Sequence, residues 1–233
     1  MKVSIIVPVL NEAHHIASTL EALQGYRQQG AELIVVDGGS RDETPEIARP
    51  LSDRLIQTEK GRALQMNAGA NVAHGDVLLF LHADTHLPEQ SYLALHAAYE
   101  AGPVLWSRFN VRLSGHRFAF RIIEWFMNRR SCLTGIATGD QALAVRRELY
   151  QQVKGFPDIP LMEDVAMCKC LKQITRPLCL TESVETSSRR WEQNGVLRTM
   201  LLMWCLRLAY FLGMSPARLA EYYYPSSVQQ EHG

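Results

Sequence analysis

Acidic and histidine side chains follow each of three apolar segments in the first 90 residues. The segments and the polar residues after them are residues 3–9 with Glu12, residues 33–36 with Asp37, and residues 78–81 with His82 and Asp84. Short apolar runs of this kind are typical of buried strands in a parallel sheet. Because open α/β sheets bind ligands at the carboxyl ends of their strands, we expect these side chains to line one ligand crevice.

His82 and Asp84 have the chemistry of metal ligands. A carboxylate suits Mg²⁺ or Mn²⁺, and an imidazole suits Mn²⁺ better than Mg²⁺. Residues two apart in an extended backbone point the same way, so both side chains would face one ion. The alternative is that Asp84 and Thr85 merely form a turn before Pro88. We favour the metal site, since a bound cation would neutralise a departing diphosphate.

Asp37 and the glycines after it stand at the end of a predicted buried strand. Glycines such as Gly38 permit a tight turn, and that alone would explain the sequence. The carboxylate of Asp37 can also accept a hydrogen bond from a nucleobase or a ribose, which we favour because acid and glycines coincide at a strand end. Lys60 and Arg62 could steady a phosphate or the base, or simply form a solvated basic loop.

A second acidic group opens the helix that is predicted over residues 163–171. The helix dipole stabilises carboxylates in a first turn, which explains Glu163 and Asp164 without any function. Asp164 would equally suit a general base that takes a proton from an acceptor hydroxyl. Asp140 belongs either to a turn before a strand or to the wall of an acceptor site.

Arg190 and Trp191 place a guanidinium beside an indole. Arginine binds diphosphate oxygens in a bidentate manner, and the indole can pack on a sugar face. Surface charge beside one anchored aromatic residue is the simpler explanation of the same two residues.

The elements that must position these residues follow a repeating order. Strands near residues 3–9, 33–36, 55–58 and 78–81 alternate with helices that start after Asn11, at 44, at 63 and at 88. Asn11 is expected to cap the first helix, and residues 40–43 fit a capping box for the second. The order predicts a mostly parallel, doubly wound α/β sheet. Strands are further predicted at 104–113 and 141–145, and helices at 118–127 and 196–213.

The composition restricts the partners and the compartment. The 24 basic and 24 acidic residues cancel, so nothing in the net charge favours nucleic acid. The first residues are interrupted too early by Pro8 to form a signal peptide. The five cysteines lack metal-type spacing, and we expect reduced thiols in a cytoplasmic protein.

The apolar helix predicted at 196–213 is close to the length of a membrane span. Arg207 lies well inside it, and a central arginine is unfavourable in lipid, so we expect the helix to pack on the domain. The alternative is a surface, shared with residues 118–127, that docks on the inner face of the membrane or on a second copy of the chain.

The ordered set of motifs resembles family 2 glycosyltransferases of the GT-A fold. The motifs are Pro8-Val-Leu-Asn-Glu12, Val36-Asp-Gly-Gly-Ser-Arg-Asp-Glu-Thr44, Lys60-Gly-Arg62, Asn67-Ala-Gly69, His74-Gly-Asp76, Phe80-Leu-His-Ala-Asp84 and Glu163-Asp164, within residues 3 to about 191. The resemblance implies a UDP- or GDP-sugar donor, Mg²⁺ or Mn²⁺, and inverting transfer to a hydroxyl acceptor.

The same resemblance implies roles for individual residues. Pro8, Glu12 and Asp37 would contact the nucleobase and ribose. Asp84 would hold the metal as the last residue of the family's Asp-x-Asp motif, and Asp164 would be the general base. His82 stands where many members carry the first Asp. Ser187 replaces the leading residue of the motif that ends in Arg190-Trp191 in processive members, which argues against polymer synthesis.

The chain also resembles a compact bacterial subgroup labelled as radical-SAM/selenodomain-associated or arsenosugar-biosynthesis glycosyltransferases. On this basis we expect one domain over 1–225 and a tail at 226–233. The domain would comprise a nucleotide-sugar half (1–103), an acceptor half (104–191) and a helical segment (192–225). There are two rival functions: a nucleotidyltransferase acting on sugar phosphates, and a non-catalytic GT-A-like binding module. The nucleotidyltransferase is disfavoured because the loop after the first strand has no glycine or basic residue.

Overall fold

The computed structural model describes residues 1–224, apart from the side chain of Arg190, so the expected tail at 226–233 lies outside the described residues. The strands in this part of the chain are β1 (Val3–Val9), β2 (Glu32–Asp37), β3 (Arg54–Gln57), β4 (Val77–Phe80), β5 (Thr85–His86), β6 (Trp106–Leu113), β7 (Leu143–Arg146) and β8 (Leu178–Thr186).

Helices connect and flank these strands. They are α1 (Ala13–Ala22), α2 (Gln24–Gln28), α3 (Thr44–Leu51), α4 (Arg62–Val72), α5 (Glu89–Ala101), α6 (Phe118–Thr134), α7 (Arg147–Gln152), α8 (Glu163–Lys172), α9 (Arg189–Asn194), α10 (Val196–Phe211) and α11 (Pro216–Tyr223). A short 3₁₀ helix, Gly139–Gln141, precedes β7.

The strands form one sheet in the order β3-β2-β1-β4-β7-β6-β8-β5. β3, β2, β1 and β4 are parallel neighbours, as the alternating order predicts. β7 runs antiparallel to both β4 and β6, while β8 runs parallel to β6. The parallel half therefore presents the carboxyl ends of its strands at one edge, and the second half continues the sheet beyond β4.

Apolar residues cover both faces of the sheet. On one face the strand residues pack against α1, α3 and α5; on the other they pack against α4, α7 and α8. The first set includes Val3, Ile5, Val7, Leu20, Ala48 and Leu95, and the second includes Ile6, Ile34, Val36, Met66, Leu149 and Met167. Because both faces are buried, β2 and β4 read as continuous apolar runs rather than as alternating ones.

Gly69 brings α4 unusually close to the sheet. A Cβ atom at this position would lie 2.5 Å from Ile6 Cγ2 and 3.0 Å from Val36 Cγ2. The bare backbone thus fixes how deeply α4 packs over β1 and β2. Since Arg62 begins the same helix, this contact also sets the position of that residue at the carboxyl edge of the sheet.

Two predicted helix caps are wrong. Asn11 has a φ of 53° and its side chain accepts a hydrogen bond from the backbone N of Arg41 (2.9 Å), so α1 begins after Glu12. In place of the capping box at 40–43, Asp42 accepts the backbone N of Thr44 (3.1 Å). Both side chains join the loops after β1 and β2, a tertiary contact that no local pattern indicates.

The expectation of reduced cysteines is also wrong, because Cys132 and Cys179 form a disulfide. The pair joins the end of α6 to the start of β8 across 47 residues of chain. Cys168, Cys170 and Cys205 are free. The spacing of the cysteines gave no sign of the pair, because β8 was not predicted and its position beside α6 depends on the sheet order.

The helices α6 and α10 carry large apolar side chains on the surface. Those exposed include Phe118, Ile122, Trp125, Phe126, Leu133, Leu197, Leu201, Trp204, Leu208, Phe211 and Leu212. The buried residue Leu206 packs α10 against Met162 and Val165 at the start of α8. Across residues 1–224, no helix has both the length and the apolar character that a membrane crossing requires.

Candidate active site

Asp37 ends β2 and is fully buried. Its carboxylate accepts hydrogen bonds from the backbone N of Gly39 (3.2 Å) and Ser40 (3.1 Å) and from the Ser40 hydroxyl. The backbone N of Gly38 donates to Val9 O (3.0 Å). In the structure Asp37 therefore stabilises the turn after β2. Its contact with a nucleobase or ribose stays a prediction.

The loops after β1 and β2 are tied together at this edge. The backbone N of Glu12 donates to Thr44 Oγ1 (2.8 Å), and Pro8 is the register partner of Val36. Gln65 from α4 donates through its amide to Val9 O (2.7 Å) and Val36 O (2.8 Å). Gln65 could not be predicted from the sequence, because a single amide within a helix has no pattern that distinguishes it from a surface residue.

A crevice opens beside this edge, under the start of α4, the end of β4 and the start of α8. Its lining includes four of the predicted site residues together with apolar side chains: Arg62, His82, Glu163, Asp164, Met66, Phe80, Leu143 and Phe156. Residues more than 80 positions apart thus meet here, as expected from strand ends that share one edge. Asp37 and Glu12 lie at the neighbouring loops of that edge.

The imidazole of His82 packs directly on Gly139. A Cβ atom at Gly139 would lie 2.2 Å from His82 Nε2, so only glycine leaves room for the ring. His82 Nδ1 lies 3.7 Å from Asp140 Oδ1. Burial, followed by the nearby charge of Arg62, lowers the pKa of His82 to about 4. The ring is therefore neutral at pH 7, the form in which imidazole binds a metal.

The extended backbone expected at His82 and Asp84 is wrong, because the backbone N of Thr85 donates to His82 O (3.1 Å) and closes a turn. Asp84 is exposed in this turn, just beyond the crevice. The Thr85 hydroxyl lies 3.4 Å from Asp84 Oδ1. The backbone O of Asp84 accepts a hydrogen bond from the backbone N of Ser187 (3.2 Å). The described residues contain no group of three His, Cys, Asp or Glu side chains able to hold a metal. One exposed carboxylate and one neutral imidazole nevertheless fit a cation whose remaining ligands are substrate phosphates and water.

Glu163 and Asp164 begin α8 after Met162, whose φ of 68° turns the chain into the helix. Glu163 is 4% exposed and its carboxylate lies 3.5 Å from Arg62 Nη1. Burial and then the charge of Asp164 raise the pKa of Glu163 above its ordinary value. Glu163 thus holds Arg62 at the crevice from within the fold.

Asp164 is less buried and faces the 3₁₀ helix before β7. Its Oδ2 accepts the backbone N of Gly139 (3.0 Å) and its Oδ1 accepts the backbone N of Val165 (2.7 Å). Two backbone donors thus fix the orientation of the carboxylate. The charge of Asp164 also acts on His82, which places the two groups in one electrostatic environment.

Lys60 and Trp191 are not among the described side chains that line the crevice. Lys60 is exposed in the bend before α4. Trp191 is half-buried and packs on Leu113, Phe120 and Ile123. Arg190 lies in α9, and its side chain is outside the described part of the structure. Arg189, its neighbour, contacts His15 Nε2 through Nη1 (2.5 Å) and so joins α9 to α1.

Comparison with solved structures identifies the fold. A mannosyltransferase from Pyrobaculum calidifontis, solved with GDP-Man and Mn²⁺, is 25% identical, covers 78% of this chain and 56% of that one, and superposes with a TM-score of 0.60. TarS of S. aureus (residues 1–349) is 19% identical and covers 81% of this chain and 61% of that one, with a TM-score of 0.65. The expected GT-A fold is confirmed.

Sequence comparison identifies the family. A PGL/p-HBAD biosynthesis glycosyltransferase of Mycobacterium bovis is 35% identical over 163 residues, which is 63% of this chain and 60% of the relative. The chain thus spans less than two thirds of the length of the curated relatives that it matches first. The model of the family described as glycosyl transferase family 2 matches residues 4–153. The chain therefore belongs to glycosyl transferase family 2.

Proposed function

We propose that this protein is an inverting glycosyltransferase that moves a sugar from a nucleotide-diphospho-sugar to an acceptor hydroxyl. The observation that carries the proposal is the meeting of Asp164, His82 and Arg62 in one crevice at the carboxyl edge of the sheet. An oriented carboxylate, a neutral imidazole and a cation lie there within one electrostatic environment. These are the groups that displacement at an anomeric carbon needs.

The donor would lie along the ends of β1, β2 and β4. Pro8 in β1, Asp37 at the end of β2 and Glu12 in the loop after β1 are the proposed contacts of the base and ribose. Gly38 and Lys60 are further proposed contacts of the donor. A UDP- or GDP-sugar is the proposed donor. The related mannosyltransferase was solved with GDP-Man, which supports this class of donor.

Asp164 is the proposed general base. Its carboxylate, fixed by the backbone N atoms of Gly139 and Val165, would take the proton as the acceptor oxygen attacks the anomeric carbon from the face opposite the diphosphate. The bond between that carbon and the diphosphate breaks in the same step, which inverts the configuration. Glu163 would hold Arg62 in place, and Asp140 would form part of the acceptor-site wall.

Asp84 and His82 would hold Mg²⁺ or Mn²⁺ together with the donor. The cation supplies positive charge to the departing diphosphate. The mannosyltransferase was solved with Mn²⁺, and the neutral imidazole of His82 favours the same ion. Arg190 is a further proposed contact of the diphosphate, and Trp191 of the sugar.

We further propose that the protein works at the cytoplasmic face of a membrane. The exposed apolar residues of α6 and α10 lie close to the exposed cations Arg129 and Arg198. Apolar side chains with flanking cations are the features by which helices bind anionic lipid surfaces.

Calorimetry with UDP-, GDP- and dTDP-sugars, each with and without Mn²⁺, tests the proposed function. We expect one class of nucleotide sugar to bind, with an affinity that Mn²⁺ raises and that Asp84→Asn lowers. A nucleotidyltransferase would instead bind nucleoside triphosphates and sugar phosphates. If no nucleotide sugar binds, either with or without Mn²⁺, the proposal is wrong.

A further inference from the structure

Three arginines from β6, α6 and α10 lie near one another, and one of them, Arg130, also lies near Asp164. Arg108 in β6 is 2% exposed, and Arg130 and Arg207, from α6 and α10, are half-buried. Arg108 Nη2 donates to the backbone O of Asn128, two residues before Arg130 (3.2 Å). The elements β6, α6 and α10 thus bring three guanidinium groups to one region.

The helix that carries Arg207 packs on the start of α8. Leu206 packs against Met162, the residue that precedes Glu163-Asp164. Arg130 in turn lies close enough to Arg207 and Asp164 for their charges to shift its pKa. The arginine cluster (Arg108, Arg130 and Arg207) therefore approaches the proposed base through Arg130.

Each member of the arginine cluster has a buried N–H group without a hydrogen-bond partner among residues 1–224. These groups are Nε of Arg108, Nη2 of Arg130 and Nε of Arg207. No carboxylate of this part of the chain forms an ion pair with any of the three. Glu163 pairs with Arg62 instead, and Asp164 accepts backbone N–H groups.

This arrangement is unfavourable for the protein alone. Burial lowers the pKa of Arg108 to about 10, and burial followed by the charge of Arg207 lowers the pKa of Arg130 to about 10. Arg108 and Arg130 remain positive at pH 7, and buried charges without an ionic partner destabilise a fold. An anion bound beside the three guanidinium groups would neutralise their charge.

We propose that Arg108, Arg130 and Arg207 bind a phosphate monoester group carried by the acceptor. Three guanidinium groups suit a dianion with three acceptor oxygens better than a carboxylate with two. The cluster adjoins the proposed base, whereas the loops expected to hold the donor lie at the ends of β1 and β2. This inference rests on the proposed function, since it assigns the bound phosphate to the acceptor.

Calorimetric titrations with glycerol phosphate and dodecyl phosphate test the site. Each of the variants Arg130→Gln and Arg207→Gln should weaken binding by about tenfold or more, the effect of losing a hydrogen bond to a charged group. Matched controls are Arg112→Gln and Arg218→Gln, which remove exposed cations from β6 and α11. We expect these controls to change the affinity by less than about twofold.

The two esters distinguish the source of the phosphate. Equal affinities assign the site to the phosphate group of a soluble acceptor, and tighter binding of the dodecyl ester assigns it to a lipid phosphate. If neither ester binds, or if Arg130→Gln and Arg207→Gln bind as the wild type does, the proposal is overturned.

A parallel titration with UDP and GDP separates this inference from the proposed function. A nucleotide should bind in the presence of saturating glycerol phosphate and in both cluster variants, which also shows that the variants are folded. Displacement of glycerol phosphate by the nucleotide would assign the cluster to the donor and overturn the acceptor site. If no nucleotide binds to the wild type or to either variant, the glycosyltransferase proposal is wrong. The ester titrations would still show whether the arginine cluster binds an anion.

Discussion

Glu163 and Asp164 are adjacent in the chain but have different surroundings. Glu163 points into the fold, pairs with Arg62 and has a raised pKa. Asp164 lies at the crevice, oriented by two backbone N–H groups. A base must reach the acceptor and return its proton to solvent, so Asp164 has the suitable environment and Glu163 the supporting one.

Replacing Asp164 tests this division of roles. We expect Asp164→Asn to lower the rate of transfer by about 10²–10⁴-fold, the usual contribution of a general base. The affinity for the nucleotide sugar should stay unchanged, because the amide keeps the shape of the side chain and one acceptor oxygen. Turnover measured by nucleotide release, with donor binding by calorimetry, checks both expectations.

The control for Asp164→Asn is Asp158→Asn, an exposed carboxylate in the loop before α8. It removes the same charge close to the same helix without touching the crevice. Equal turnover in Asp164→Asn and the wild type would remove Asp164 from the chemistry, and equal losses in both variants would indicate a general effect of charge.

The amino-terminal ends of β1 and β2 carry a polar network that is separate from the crevice. Glu32 accepts hydrogen bonds from the Ser4 hydroxyl (2.6 Å) and the His74 backbone N (2.8 Å), and the His74 ring lies 2.9 Å away. Burial would raise the pKa of Glu32, but these hydrogen bonds outweigh it and lower the pKa to about 2.

Glu32 should therefore stabilise the fold in its ionised form. Since its folded pKa lies below the unfolded value near 4.5, the stabilisation is complete above pH 4.5 and disappears as the pH falls towards 2. Glu32→Gln should lower the free energy of unfolding at pH 7 by about 3 kcal/mol. Urea unfolding of both proteins between pH 7 and pH 3 measures the difference, which should shrink below pH 4.5.

The matched control is Glu21→Gln, which neutralises an exposed carboxylate on α1. It should change the free energy of unfolding by less than about 0.5 kcal/mol at any of these pH values. A difference between Glu32→Gln and the wild type that stays constant with pH would show that packing, rather than ionisation of Glu32, carries the effect.

At the scale of elements, the contact of α4 with β1 positions Arg62. Gly69→Ala places a methyl group 2.5 Å from Ile6 Cγ2, so the helix must move or Ile6 must leave its rotamer. We expect the free energy of unfolding to fall by about 1–3 kcal/mol, as is usual for overpacked cores. Chemical denaturation measures this change.

Gly25→Ala is the appropriate comparison, because Gly25 also lies in a helix but has nothing within 4 Å of an added Cβ. Alanine there should stabilise the protein by about 0.5–1 kcal/mol through its helix propensity. If Gly69→Ala were as stable as Gly25→Ala, the close approach of α4 to β1 would be refuted.

The elements also show what the sequence could and could not predict. The strands that end near Asp37 and His82 were predictable, because their burial on both faces produces apolar runs that can be recognised locally. The strand β8, the disulfide Cys132–Cys179 and the caps of α1 and α3 were not, because each depends on contacts between distant segments. The arginine cluster escaped prediction for the same reason, since β6, α6 and α10 meet only in the fold.

At the scale of the whole molecule, two helices present an apolar surface beside the proposed acceptor site. Trp125 in α6 is 57% exposed and Trp204 in α10 is 55% exposed. The helices are neighbours, since Val196 of α10 packs on Phe120 and Ile123 of α6. An acceptor held at a membrane would approach Asp164 from this side, because α10 also packs on the start of α8 through Leu206.

Cosedimentation with vesicles tests this surface. We expect the wild type to bind vesicles that contain anionic phosphatidylglycerol, with an affinity that falls as salt screens Arg129 and Arg198. The double variant Trp125→Ser/Trp204→Ser should lose most of this binding, since interfacial affinity scales with the apolar area that enters the lipid. Leu93→Ser is the control, because Leu93 is 53% exposed on α5, which belongs to the other face of the sheet. If the wild type stays in the supernatant, or if the double variant sediments as the wild type does, this surface does not bind membranes. The surface would then be the contact with a second copy of the chain, which analytical ultracentrifugation would detect as a dimer.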